Sequence, residues 1–137
     1  VYGCYFLYAL DWDWTVFLPA STIGFLSAGV LNLNNMRDRI ADERAGKHTL
    51  VVKMGAPKAK KYHYFLILAS FTTIILFSAL SFTGIDDLLY LLAFIPLLMH
   101  LKRVLENKFP EQLDPELKKL ALSTFLLAVL FSIGQVL

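Results

Sequence analysis

The sequence predicts an all-α integral membrane protein with four full transmembrane helices and the end of a fifth. Of its 137 residues, 57% are hydrophobic, whereas soluble domains are usually about 45–50% apolar. The excess is gathered into four stretches of roughly 15–23 residues that carry almost no charge, the length needed to cross a bilayer core about 30 Å thick. All 13 Lys and Arg residues lie between these stretches. The lipid bilayer is therefore the expected environment of the chain.

The four stretches give the predicted spans in order along the chain. The third is short and contains Pro96, which removes a backbone hydrogen bond and is expected to kink the helix. Its start can be placed as early as Ile85. The predicted spans run over about Trp14–Asn35, Tyr62–Thr83, Leu88–Leu101 and Leu120–Leu137.

The first ten residues predict the end of a further helix. Val1–Leu10 is apolar but lacks an initiator Met, a basic n-region and a small-residue cleavage site, so it does not have the pattern of a signal peptide. We therefore expect residues 1–137 to form a single membrane domain that is the C-terminal portion of a longer protein.

The distribution of charge predicts the orientation. Eight of the 13 basic residues lie between the first two spans and five between the last two, whereas the acidic pairs Asp11/Asp13 and Asp86/Asp87 lie in the opposite connections. The positive-inside rule predicts that both basic loops face the cytoplasm, in a multi-pass protein of the cell (inner) membrane. A net charge of +2 without a basic aromatic stripe argues against nucleic acid. The single cysteine, Cys4, excludes an internal disulfide framework.

The segment after the first span carries the candidate chemistry. Asn34, Asp38 and Asp42 are spaced four residues apart, so on a helix they fall within an arc of about 80°. Adjacent carboxylates repel each other, and Mg²⁺ characteristically bridges one or two protein carboxylates to substrate phosphates. Arg37 and Lys47 supply positive charge that suits phosphate oxygens. The pattern predicts a metal-assisted phosphate site.

Two further features belong to the same helix. Gly46 is expected to end it and to turn Lys47 back over its C-terminal end. A strip of small residues continues the carboxylate face into the membrane and would let a helix or a thin ligand approach closely. This strip consists of Ala20, Gly24, Ser27 and Ala28.

The string from Asn34 to Leu50, N-N-x-R-D-x-x-x-D-x-x-x-G-K-x-T-L, closely resembles the second aspartate-rich motif of the UbiA-type intramembrane aromatic prenyltransferases. Within that superfamily it is most similar to the branch that prenylates 1,4-dihydroxy-2-naphthoate. The resemblance implies part of a bundle of about nine membrane helices, with two aspartate-rich motifs facing each other across a lipid-accessible cavity. It also implies Mg²⁺-dependent transfer of a polyprenyl group from polyprenyl diphosphate to the aromatic acid, with loss of CO₂, giving demethylmenaquinone.

The resemblance assigns roles to six residues. Asp38 and Asp42 would be the catalytic residues that hold Mg²⁺ through the diphosphate, and the diphosphate-binding residues would be Asn34, Asn35, Arg37 and Lys47. The first aspartate-rich motif of the family has no counterpart in these 137 residues, so the chain by itself is expected to be inactive.

Other interpretations remain open at this point. The acceptor could be another aromatic acid such as 4-hydroxybenzoate. Asn34, Asp38 and Asp42 could instead form the ion site of a cation transporter, or the chain could be a non-catalytic membrane subunit. His63 and His100 are expected at the membrane interface, without pairing.

Overall fold

The computed structural model describes residues 2–137, which are helical apart from short connections and contain no strand. Four helical segments are long and apolar enough to cross a membrane, which confirms the predicted fold class. Val1, the first residue of the predicted terminal helix, lies outside the described residues. The α-helices are α1 Tyr2–Ala9, α2 Phe17–Arg44, α3 Leu50–Ser81, α4 Phe94–Glu106 and α5 Asp114–Gly134. Three 3₁₀ helices, Trp14–Val16, Ile85–Ala93 and Pro110–Leu113, precede α2, α4 and α5.

The helices extend further than the predicted spans at the charged ends. α2 continues past Asn35 to Arg44, and α3 begins at Leu50 rather than at Tyr62. The predicted spans end where charged residues begin, whereas backbone hydrogen bonding continues through the polar residues. Gly55 interrupts α3 with φ +77°, a conformation that other residues rarely adopt. Pro57 follows in the first turn after this kink, where its missing N–H costs no helical bond.

The third span differs from the predicted kinked helix. Residues Ile85–Ala93 form a 3₁₀ helix, and Pro96 lies in the first turn of α4. A proline is tolerated in a first turn, so Pro96 starts this α-helix and does not bend it. Asp87 caps the start of this span, since its carboxylate accepts hydrogen bonds from the amides of Thr83 at 2.6 Å and Gly84 at 3.2 Å.

Both basic connections lie at one end of the bundle. At this end Arg37 near the end of α2 contacts Asp114 at the start of α5. There, too, the Lys60 ammonium of α3 donates to the carbonyl of Asn107, just beyond α4. At the opposite end Gln135 donates to Asp87 at 3.1 Å. The predicted placement of all the basic residues on the same side of the bundle is therefore correct.

The core lies where the four spans meet. It is built from aliphatic residues on the inner faces, with Tyr90 as its largest fully buried side chain. Gly29 lies in this core, where a Cβ at its position would be in ordinary van der Waals contact with Ile67 and Leu120 at 3.7 Å. The outer faces carry many exposed leucine, isoleucine and phenylalanine side chains, as expected for a surface in contact with lipid.

Candidate functional site

The last three turns of α2 carry most of the predicted site residues. The helix is continuous from Phe17 to Arg44, so Asn34, Asp38 and Asp42 lie along one face, as their spacing predicts. Asn35 is half-buried one position away and has no hydrogen bond to these residues within the described part of the chain. We use the name aspartate cluster for Asn34, Arg37, Asp38, Asp42 and Lys47.

Arg37 is at the centre of this cluster. Its Nε donates to Oδ1 of Asp38 at 2.8 Å, and its Nη2 donates to Oδ2 of the same carboxylate at 2.9 Å. The same Nη2 donates to the Asn34 amide oxygen at 2.9 Å. A guanidinium that binds a carboxylate through two parallel bonds holds it in a fixed orientation. Arg37 therefore fixes both Asp38 and Asn34 on the helix surface.

Asp42 is fixed by a second cation. Gly46, with φ +71°, follows the end of α2 and reverses the chain, as predicted. The backbone N–H of Lys47 donates to the Asp42 carbonyl at 2.9 Å, and Lys47 Nζ lies 3.2 Å from Asp42 Oδ1. The Asp42 side chain is 12% exposed, so this cation compensates for part of the water that the carboxylate has lost.

One contact of the cluster was not predicted from the sequence. Arg37 Nη1 donates to Oδ1 of Asp114 at 3.0 Å, across 77 positions of the chain. Asp114 is the first residue of α5, and the N-cap position is occupied by Leu113. An open cleft beside this contact is lined by Arg37, Asp38, Glu111 and Asp114. No spacing in the sequence indicates this contact, because it depends on how α2 and α5 pack.

The strip of small residues lies on the outside of the four spans. Gly24 and Ser27 are exposed, while Ala20 and Ala28 are half-buried. A shallow cleft there is bordered by residues of α2 and α3, including Gly24, Ala28 and Phe65. The strip is thus open to whatever lies beside α2, in agreement with the predicted close approach of a ligand or helix.

The oxygen donors of the cluster fit a hard divalent cation. Asp38 and Asp42 supply carboxylates and Asn34 an amide oxygen, and Mg²⁺ takes one or two protein carboxylates together with water and phosphate oxygens. Within residues 2–137, no group of three or more His, Cys, Asp or Glu side chains is arranged to hold a metal ion. The donor set therefore fits a metal that reaches the protein together with a phosphate ligand.

A second polar group, buried inside the bundle, contradicts one prediction. His63 of α3 and His100 of α4 are fully buried, and their Nε2 atoms lie 2.9 Å apart. His100 Nδ1 lies 3.0 Å from Oε2 of the buried Glu116. The prediction that the histidines lie at the membrane interface and do not pair was wrong, since it considered spacing within one helix only. We call His63, His100 and Glu116 the histidine network.

The fold and the cluster define an intramembrane helical bundle with paired carboxylates and cations at one end. Residues 1–130 match the model of the UbiA prenyltransferase family. The chain belongs to this family, and its resemblance to it is confirmed.

Curated relatives agree with the family match. The chain is 34% identical over 132 residues to the 1,4-dihydroxy-2-naphthoate octaprenyltransferase of Haemophilus influenzae, covering 96% of this chain and 43% of that protein. It is 34% identical over 134 residues to the Escherichia coli protein of the same name, covering 98% and 44%. With the Mycobacterium tuberculosis protein of that name, the identity is 38% over 80 residues, 58% of this chain and 27% of the relative. The chain thus spans less than half the length of these relatives, and no solved structure matches it.

Proposed function

We propose that this chain belongs to an enzyme that transfers a polyprenyl group from polyprenyl diphosphate to 1,4-dihydroxy-2-naphthoate, with loss of CO₂. The observation that carries the proposal is the aspartate cluster, in which two carboxylates on successive turns of one membrane helix are each held by a cation. The names of the relatives support naphthoate rather than 4-hydroxybenzoate as the acceptor.

Different residues of the cluster would bind the metal and the phosphate oxygens of the diphosphate. Asp38 and Asp42 would hold Mg²⁺, which when bound neutralises the diphosphate and makes it a better leaving group. Arg37 and Lys47 would donate to phosphate oxygens, and Asn34 and Asn35 would supply polar contacts beside them. The cations stand next to the carboxylates, so the proposed metal ligands and phosphate donors lie together at one end of α2.

The transfer itself breaks one bond at each substrate. The allylic C–O bond of the polyprenyl diphosphate breaks, and diphosphate leaves with the electron pair. The electron-rich ring carbon that bears the carboxylate forms the new C–C bond. The C–CO₂ bond then breaks and its electrons return to the ring, which gives the quinol form of demethylmenaquinone. The role proposed for Arg37 and Lys47 is to hold the diphosphate in place by donating to its oxygens.

We also propose that the cluster faces the cytoplasm from the inner membrane. The basic connections α2–α3 and α4–α5 meet at the end of the bundle where the cluster lies, and positively charged loops are retained on the cytoplasmic side.

The test is an assay of the gene product that contains this chain, expressed in membranes. Labelled polyprenyl diphosphate is supplied with 1,4-dihydroxy-2-naphthoate or with 4-hydroxybenzoate, with MgCl₂ or with EDTA. We expect prenylated naphthoquinol with MgCl₂ only. A folded protein that gives no product with any aromatic acceptor would refute the proposed activity. Product from 4-hydroxybenzoate alone would refute the choice of acceptor.

The metal site makes a prediction about single residues. We expect Asp38→Asn and Asp42→Asn each to lower kcat/KM by at least about 100-fold, because each removes a carboxylate that would hold Mg²⁺ at the diphosphate. The matched control is Glu43→Gln on the same helix, whose carboxylate pairs with Arg39 at 3.5 Å on an exposed face. Activity near that of the unmodified protein in both aspartate variants would remove the metal-site assignment.

A further inference from the structure

We propose that Asp114 is a positioning residue of the diphosphate site. From the start of α5, its carboxylate would hold Arg37 in place while Asp38 binds the metal. This inference rests on the proposed function. It concerns a residue outside the aspartate-rich segment, in a different membrane span, that acts on substrate only through Arg37.

The geometry of Arg37 divides its guanidinium into two edges. Nε and Nη2 face Asp38 and Asn34, whereas Nη1 faces Asp114. Both oxygens of Asp38 accept hydrogen bonds from Arg37, and these are the oxygens that a metal would need. When Asp38 turns to a cation, the first edge of Arg37 loses its main partner. The bond to Asp114 is on the other edge and is not affected, so Asp114 can keep the guanidinium beside the phosphate.

The backbone of Asp114 is well placed for this role because the first turn of α5 is anchored on both sides. Leu113, which precedes it, is 2% exposed in the core. Glu116, two positions later, is 4% exposed and is bound by His100 at 3.0 Å and by Arg103 at 3.2 Å. The histidine network thus ties this turn to α4 and α3. The carboxylate itself is 69% exposed, so it can follow a small movement of Arg37 without leaving a buried charge unpaired.

If the Arg37–Asp114 pair had a purely structural role, its loss would lower the stability of the protein. An exposed ion pair contributes little to stability, so the loss of the Asp114 carboxylate should hardly change the melting temperature. If the carboxylate positions Arg37, its loss should weaken diphosphate binding and leave the chemical step nearly unchanged, which separates KM from kcat.

The experiment compares Asp114→Asn, Asp114→Glu and Glu111→Gln in the gene product that contains this chain. Glu111 is the matched control, because it lines the same cleft and its side chain has no hydrogen bond to Arg37 in the described residues. Binding of inorganic pyrophosphate in MgCl₂ is measured by titration calorimetry, and KM and kcat for polyprenyl diphosphate are measured in parallel. For Asp114→Asn we expect a Kd and a KM raised roughly two- to fivefold, the range of one exposed ion pair, with kcat nearly unchanged. Asp114→Glu should restore binding, and Glu111→Gln should leave it unchanged.

A double variant tests whether Asp114 acts through Arg37, and Asp114→Glu keeps the single-variant test valid if Asp114→Asn is poorly folded. In an Arg37→Lys background, the fork-shaped donor is absent, so Asp114→Asn should add little further loss of pyrophosphate binding. Additive losses would overturn the inference, as would pyrophosphate binding in Asp114→Asn equal to that in Glu111→Gln. Failure of the unmodified protein to prenylate any acceptor would instead refute the proposed function, and calorimetry distinguishes the two failures.

Discussion

The aspartate cluster and the histidine network are built from similar bonds in opposite surroundings. Arg37 joins its partners at 2.8–3.0 Å, and His100 joins its partners at 2.9–3.0 Å. The Asp38 and Asp114 side chains are 38% and 69% exposed, whereas those of His100 and Glu116 are 0% and 5% exposed. Water can replace a lost bond of Arg37 but not a lost bond of the histidine network. The contacts of Arg37 are therefore available for ligand exchange, and the buried group holds helices together.

The contacts of the histidine network determine which nitrogens carry protons. Glu116 faces the cations of Arg103 and Lys119 as well as His100, and these two charges keep it a carboxylate. His100 Nδ1 is then the donor to Glu116, and with both imidazoles neutral its Nε2 accepts from His63 Nε2–H. A directed chain of hydrogen bonds thus runs from α3 through α4 to α5.

The largest effect on stability is expected for Glu116→Gln. This change removes the only carboxylate within the network and leaves His100 and two cations without their shared acceptor. We expect the free energy of unfolding to fall by roughly 2–4 kcal/mol, measured by SDS titration in mixed micelles. Glu111→Gln on the exposed 3₁₀ helix before α5 serves as the control and should change little. Equal stability of the two variants would mean that the network does not hold the helices together.

A smaller loss is expected for His63→Phe. The ring is retained, but the bare Nε2 of His100 loses its donor in a dry interior, which costs roughly 1–3 kcal/mol. The control is Tyr64→Phe on the same pair of helices, where the half-buried hydroxyl donates to the Leu101 carbonyl at 3.3 Å. Thermal unfolding in detergent should place His63→Phe clearly below Tyr64→Phe. The reverse order would contradict the assigned direction of the hydrogen bonds.

The two groups also differ in how far the sequence could predict them. Asn34, Arg37, Asp38 and Asp42 lie on consecutive turns, so helical periodicity alone puts them close together. Gly46 and Lys47 were predictable for the same reason, since a helix end is decided by its nearest residues. The membrane-spanning fold followed from long apolar stretches, and the charged extension of α2 followed from the helix end predicted at Gly46. The start of α3 at Leu50 did not, because hydropathy does not detect where backbone hydrogen bonding begins.

Contacts between helices could not be predicted in this way. His63 and His100 are 37 positions apart, and Arg37 and Asp114 are 77 apart. Their meeting depends on the rotation and register of packed helices, which are determined by core residues such as Gly29 and Leu120. A polar residue such as His63, within an otherwise apolar span, was a sign in the sequence that such a contact exists. Such residues are costly in a membrane unless they have a partner.

The smallest effect on stability is expected for Arg37→Gln, although Arg37 makes four hydrogen bonds to three partners. Its partners are exposed and become hydrated when the guanidinium is removed, so the free energy of unfolding should change by only about 0–1 kcal/mol. The same variant should bind inorganic pyrophosphate in MgCl₂ markedly more weakly, since it lacks the proposed phosphate donor. SDS titration and calorimetry on one preparation measure both quantities. A loss of stability as large as that of Glu116→Gln would show that the aspartate cluster is itself structural, and the difference between the two groups would no longer hold.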